Sequence, residues 1–135
     1  MKSFTKVLIA LSTITILLFT CQPNKPVTNP VITISQGDGE CDLILSDNGS
    51  TRTYGNNVVT WELGPGVSEI IEIFYKSGDE VFQVGPQKKN PSKTNSAWFG
   101  ITKNTTDKLT EQYGIKWKDS NGNTCELDPS VKINQ

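Results

Sequence analysis

The chain has 135 residues, with 13 Lys and Arg against 14 Asp and Glu and a net charge of −1. A balance this close to neutral lacks the basic surface that nucleic-acid binding requires, so we expect no nucleic-acid partner. The absence of His from the sequence excludes Ser–His and Cys–His catalytic couples and His-ligated metal sites, and we expect no metal and no other cofactor.

The first 20 residues have the order of a secretory signal peptide. Lys2 and Lys6 provide a basic start, and residues 7–19 are apolar apart from three hydroxyl side chains. This apolar run of about 13 residues is shorter than the roughly 20 residues that a membrane-spanning helix needs. A spanning helix is therefore the weaker interpretation.

The segment Leu18-Phe19-Thr20-Cys21 resembles the end of a bacterial lipoprotein signal peptide, with Leu18 three positions before the cleaved bond. The resemblance implies that residues 1–20 are removed and that Cys21 carries lipid chains, which anchor a protein without a spanning helix. Gln22 follows the cysteine with no acidic run, which favours an outer membrane and a domain facing the periplasm. The alternative is an ordinary signal peptide that leaves Cys21 as a free thiol.

Residues 21–30 are predicted to be the lipidated cysteine and a flexible tether. The segment contains three Pro among polar residues and has little apolar surface to bury. Residues 31–135 then form one domain, because about 105 residues suffice for one hydrophobic core and not for two.

From residue 31 onward, short runs rich in β-branched and aromatic residues alternate with turn residues. The predicted strands are residues 31–34, 41–45, 58–63, 68–75, 80–84, 97–102 and a strand that opens at Tyr113 and runs to Trp117, followed by return runs around Cys125 and Val131. Residues 76–79 are predicted to be a hairpin turn, and residues 85–95 a long polar loop. Roughly eight or nine strands, with turns about every ten residues, are typical of an all-β sandwich.

Leu109 stands four residues before Tyr113, which opens an alternating apolar strand. This arrangement resembles the tyrosine corner of immunoglobulin-like and fibronectin type III-like domains. The resemblance implies a single Greek-key β-sandwich of immunoglobulin-like type, with the Tyr113 hydroxyl bonded to backbone a few residues upstream. Residues 55–61 also resemble a strand start of cupredoxin-like domains, but the copper ligands of that family are missing, so only the sandwich would carry over.

Cys41 and Cys125 form an even pair in a chain that we expect to be exported, which indicates a disulfide. Each cysteine alternates with leucines along its predicted strand, so both thiols are predicted to point into the same core. A disulfide would require the two Cα atoms to lie within about 7 Å. The alternative is two buried free thiols.

Two pairs of adjacent aromatic residues are candidates for a binding surface, because neighbours on a strand point to opposite faces. Two lysines of the polar loop add candidate contacts for an anionic partner. The candidate binding residues are Trp98, Phe99, Phe74, Tyr75, Lys88 and Lys89. Coplanar exposed rings would favour a glycan, whereas an apolar patch would favour a protein. Trp61 and Trp117 are expected in the core.

Acidic residues provide weaker candidates. Asp119, Asn121 and Asn123 alternate as calcium ligands do, but the segment lacks the remaining ligands of a calcium loop, and an Asn-Gly hairpin turn explains it. The acidic residues of segment 38–42 are interpreted as solvated turn charges. The carboxylate pairs Glu69/Glu72 and Asp79/Glu80 are candidates for a small hydrolase, without a cleft to support them.

The sequence therefore predicts a lipid-anchored envelope protein that acts as a non-catalytic binding or interaction module for a protein partner. A carbohydrate- or peptidoglycan-binding module is the alternative, and a small hydrolase is the lesser alternative.

Replacing Cys21 with Ala tests the predicted anchor. We expect the variant to be released into the soluble fraction or to remain an uncleaved precursor, because the acceptor of the lipid is lost. Fatty-acid labelling followed by membrane fractionation measures this. An unlabelled and fully soluble wild-type protein would contradict the prediction.

Overall fold

The structure, a computed structural model, describes residues 25–135, so the predicted leader and Cys21 lie outside the described residues. Ten strands make up the described part: β1 Val31–Gln36, β2 Leu43–Leu45, β3 Ser50–Thr53, β4 Val58–Leu63, β5 Val67–Gly78, β6 Phe82–Lys88, β7 Trp98–Thr102, β8 Leu109–Asp119, β9 Thr124–Leu127 and β10 Ser130–Ile133. No helix long and apolar enough to cross a membrane occurs among residues 25–135.

The strands form two packed sheets, which confirms the predicted all-β sandwich. The first sheet has the order β2-β1-β4-β7-β6, and the second has the order β3-β10-β8-β5, with β9 also paired to β8. The β1–β4 and β3–β10 pairs are parallel, and the other pairs are antiparallel. Strands β9 and β10 both pair with the edge of β8 that is not paired with β5. The residues Asp128-Pro129 separate these two strands, because proline has no backbone N–H to donate to a strand ladder.

The core lies between the sheets and follows the alternation of the strands. In β4, Val59 and Trp61 are fully buried while Glu62 is exposed, and in β8 the inward residues include Ile115 and Trp117, also fully buried. β-Branched and aromatic side chains favour this pleated, half-buried arrangement. Both tryptophans that the sequence assigns to the core are therefore found there.

Tyr113 and Trp61 connect the two sheets at the centre of the core. The Trp61 Nε1–H donates to the Tyr113 hydroxyl over 3.1 Å, and the rings meet edge-on with centroids 5.6 Å apart. Burial raises the pKa of the Tyr113 phenol well above its ordinary value. The predicted tyrosine-corner bond to upstream backbone is wrong, because Tyr113 lies inside the 11-residue strand β8 and points at the opposite sheet.

Several predicted elements also differ from the structure, and β8 begins at Leu109, four residues before the predicted strand. Residues 76–79 are not a hairpin, since β5 continues to Gly78 and the chain then crosses to β6 in the other sheet. The polar loop begins after Lys88 because β6 runs through Gly85-Pro86, where an edge strand tolerates proline. Strand β3 was not predicted, because its sequence Ser-Thr-Arg-Thr contains no apolar residue.

Part of the predicted tether is attached to the domain. The Val27 N–H donates to the Arg52 carbonyl over 2.9 Å, and the Thr53 hydroxyl donates to the Val27 carbonyl over 2.7 Å. The Val58 N–H donates to Asn29 Oδ1 over 2.9 Å. Residues from Val27 onward are therefore hydrogen-bonded to β3 and β4.

The predicted disulfide joins Cys41 and Cys125, with the Cα atoms 5.2 Å apart. Cys125 is buried on β9, as expected. Cys41 is exposed, and its φ of 59° places it in a turn before β2. The prediction that both residues lie on core faces of strands is therefore wrong for Cys41.

The two ends of the sandwich are named by what they carry. The distal end carries the disulfide and the 119–123 hairpin, and the proximal end is the opposite end, next to Val27.

Replacing Cys41 with Ser should destabilise the domain by about 4–5 kcal/mol, because the bridge closes a loop across a sequence separation of 84. Thermal unfolding with and without reductant measures this, and reduced wild-type protein should match the variant. The Cys41→Ser variant treated with the same reductant is the matched control, and its unfolding should not change further. Reaction of both cysteines with a thiol reagent in the folded, unreduced protein would contradict the bridge.

Candidate functional site

The aromatic pair Trp98-Phe99 is divided between the two faces of the first sheet. Trp98 is buried in the core, and its Nε1–H donates to the Ile70 carbonyl over 3.1 Å. Phe99 is partly buried on the outer face, opposite Thr60 of β4. Trp98 is therefore a structural residue, and only Phe99 contributes to a surface.

The pair Phe74-Tyr75 belongs to the second sheet. The Phe74 ring covers Gly114, its cross-strand neighbour, so closely that a Cβ at position 114 would overlap the ring. Tyr75 is 51% exposed, and its hydroxyl donates to the Gly78 carbonyl over 2.9 Å. The four candidate rings thus lie on different faces and do not form one coplanar set.

The candidate lysines have different roles. Lys88 Nζ lies 3.2 Å from Glu69 Oε1, and Lys118 Nζ lies 3.3 Å from Glu69 Oε2. The hydrogen bond from Lys88, together with Lys118, lowers the pKa of the Glu69 carboxyl despite partial desolvation. Lys88 therefore joins the two sheets, whereas Lys89 has an exposed side chain.

The other acidic candidates are also accounted for by local contacts. Glu72 is exposed opposite Lys116, and Asp79 Oδ2 accepts the Thr110 N–H over 2.9 Å. Glu80 has a 79% exposed side chain. No pair among these carboxylates is shown to share a cleft.

Asp119 organises the hairpin at the distal end. Its carboxylate accepts the backbone N–H groups of Asn121 and Asn123 and the Asn123 side-chain amide at 2.8–3.0 Å. Desolvation opposes ionisation of Asp119, but these hydrogen bonds outweigh it and lower the pKa. Asp38 and Glu40 border the same depression, yet residues 25–135 contain no group of three or more His, Cys, Asp or Glu placed to hold a metal ion.

An apolar groove of about 430 Å³ lies at one side of the sandwich, where strands β2 and β9 face each other without pairing. We call it the edge groove. Its lining residues are Leu43, Ile44, Leu45, Asn48, Gly49, Leu127, Asp128 and Pro129. Ile44 is 55% exposed. The groove is larger than three other cavities of the described chain, which measure about 360, 290 and 210 Å³.

The edge groove has two strand edges along its sides. β2 pairs only with β1, and β9 pairs only with β8, so each has one edge without a strand partner in the described chain. The Cys41–Cys125 bridge closes the distal end of the groove, and the pairing of β3 with β10 closes the proximal end. The groove is therefore a bounded slot between two roughly parallel strands.

Glu111 lies at the opposite side of the sandwich, where β5 and β6 face each other. The residue is 4% exposed, and its Oε2 accepts the Val81 N–H over 2.8 Å. Desolvation raises the pKa of the Glu111 carboxyl, and the hydrogen bond from Val81 partly opposes this shift. The negative charge of Glu80 raises the pKa further, whereas the positive charge of Lys103 lowers it. A buried carboxyl of this kind is a marker of functional sites.

Sequence reasoning missed both the edge groove and Glu111. Glu111 alternates with Tyr113 along β8, so the periodicity that places Tyr113 in the core also places Glu111 on the inner face. The edge groove has no comparable signal, because it depends on two strands that are far apart in the sequence and remain unpaired.

Replacing Glu111 with Gln should stabilise the domain at pH 7, because Gln keeps an acceptor for the Val81 N–H and removes a buried charge. A raised folded-state pKa means that wild-type stability falls as the pH rises from the ordinary Glu value through the raised one. The difference in the free energy of unfolding between the variant and the wild type should therefore be smaller at pH 4 than at pH 7. Urea unfolding at both pH values measures this, with exposed Glu72→Gln as the control. An equal difference at both pH values would contradict the prediction.

No protein-family model matches the chain, and no curated protein matches it.

Proposed function

We propose that this chain is a lipid-anchored lipoprotein of the bacterial cell envelope and acts as a non-catalytic binding module for a protein partner. The observation that carries the partner proposal is the edge groove, which combines an apolar floor with two unpaired strand edges. The anchor is the lipid on Cys21, and the location is the outer membrane, facing the periplasm. The disulfide supports export, since such bonds persist in oxidising compartments.

An extended peptide segment is the ligand that fits this geometry. Unpaired strand edges present backbone N–H and C=O groups, and a peptide that adds to a sheet edge satisfies them with its own backbone. Leu45, Leu127 and Pro129 line the slot and would receive apolar side chains of the segment. Backbone bonds would thus provide affinity, and the slot would provide selectivity.

The lining favours a protein over a glycan. The edge groove contains no aromatic ring on which a sugar face would stack. Its one ionisable residue, Asp128, is paired with Lys76 Nζ at 2.7 Å. An apolar surface without converging polar groups favours a protein partner.

A photo-crosslinking amino acid at position 44 tests the proposal in intact cells. Ile44 and Tyr54 are similarly exposed, at 55% and 46%, but only Ile44 lies in the edge groove. We expect a discrete protein adduct from position 44 and none from position 54, because the partner segment occupies the groove.

Gel electrophoresis and mass spectrometry identify the adduct, and the attached peptides should all come from one segment of one partner protein. Equal adducts from both positions, or none from position 44 in folded and disulfide-bonded protein, would contradict the proposed function.

A further inference from the structure

A second cavity of about 210 Å³ lies at the side of the sandwich opposite the edge groove. We call it the Glu111 cleft. Its lining residues are Tyr75, Glu80, Phe82, Gly85, Pro86 and Glu111. It opens between the proximal parts of β5 and β6, which lie in different sheets and are not paired with each other.

One oxygen of the buried carboxylate in this cleft has no partner. Glu111 Oε2 accepts the Val81 N–H, whereas Oε1 receives no hydrogen bond from the described residues. Oε1 is not fully enclosed by protein and is open to the cleft that Glu111 lines. A ligand in the cleft can therefore donate a charge-assisted hydrogen bond to this oxygen without displacing a protein donor.

The walls of the Glu111 cleft are aromatic and apolar. Tyr75 presents a half-exposed ring, and Pro86 lies on the facing strand. The Phe82 ring lies 5.9 Å from the Trp61 ring, which fixes it against the core. Aromatic faces beside a carboxylate attract organic cations through the ring quadrupole and through charge-assisted hydrogen bonds.

The charges around the cleft agree with a cationic ligand. Glu80 lines the cleft beside Glu111, and Asp79 directly precedes Glu80 in the chain. The Lys103 Nζ lies 3.9 Å from Glu80 Oε2 in a solvent-exposed ion pair. Lys103 makes no hydrogen bond to Glu111 within the described residues. The cleft therefore offers more negative than positive charge.

We propose that the Glu111 cleft binds an organic cation of the size of a lysine or arginine side chain. The cationic head donates to Glu111 Oε1, and the stem lies against Tyr75, Phe82 and Pro86. This site lies on the opposite side of the sandwich from the edge groove, and the inference does not depend on the proposed function.

Backbone amide NMR of the full chain in detergent micelles tests the proposal. The Val81 N–H is the reporter, because it donates to the same carboxylate that the cation contacts. The probes are Nα-acetyl-lysine amide and Nα-acetyl-arginine amide, with Nα-acetyl-norleucine amide as the neutral control. We expect saturable shifts of the Val81 signal with a cationic probe and none with norleucine, and the preferred probe distinguishes an ammonium from a guanidinium ligand.

Variants assign the binding to the cleft. Glu111→Gln, which keeps an acceptor for Val81, should weaken binding at least tenfold, and Tyr75→Ala should weaken it several-fold. Tyr54→Ala and Glu72→Gln, which change exposed residues elsewhere, should bind as the wild type does. No saturable shift at Val81 with either cation, equal shifts with norleucine, or unchanged affinity in Glu111→Gln would overturn the proposal.

Discussion

The hydrogen bond between Trp61 and Tyr113 is the constraint on which the arrangement of the two sheets depends. Both groups are fully buried, so the Trp61 N–H would be left as an uncompensated polar group if the sheets slid apart. β4 is the central strand of the first sheet, and β8 carries three neighbouring strands of the second. The bond therefore joins the central strand of one sheet to the strand with the most partners in the other. Trp117 is equally buried, but its Nε1 has no hydrogen-bond partner among residues 25–135, so it contributes packing without this directional constraint.

With the centre fixed, the two sides of the sandwich remain open along part of their length. On the β2/β9 side, the disulfide joins the distal end. On the β5/β6 side, the distal contact is the ion pair of Glu69 with Lys88. Each open part then has its own chemistry: the edge groove is apolar, and the Glu111 cleft contains a carboxylate. Each side of the sandwich thus has one link between the sheets near its distal end and no strand pairing across the open part that follows. This arrangement leaves two separate surfaces on a small domain.

The predictable features were those that local alternation determines. The bounds of β4 and the turn after Asp119 follow from apolar spacing and an Asn-Gly turn, and the disulfide follows from cysteine parity. Strand β3 could not be predicted, because its inward side chains are threonines whose hydroxyls find partners only in the folded chain, as Thr53 does with Val27. The partner of Tyr113 and the crossing after Gly78 likewise depend on how the sheets face each other, which no single segment encodes.

The hydrogen bonds of Val27 to β3 would limit how far the domain can stand from the lipid that we propose on Cys21. Six peptide units separate these residues, and a fully extended chain of that length spans about 20 Å. A domain anchored in this way would keep its proximal end close to the lipid headgroups and its disulfide end directed away from them. The short connection would restrict tumbling and hold both sides of the sandwich near the membrane surface. Such an orientation favours encounters with molecules that are confined to the same surface over those that diffuse freely.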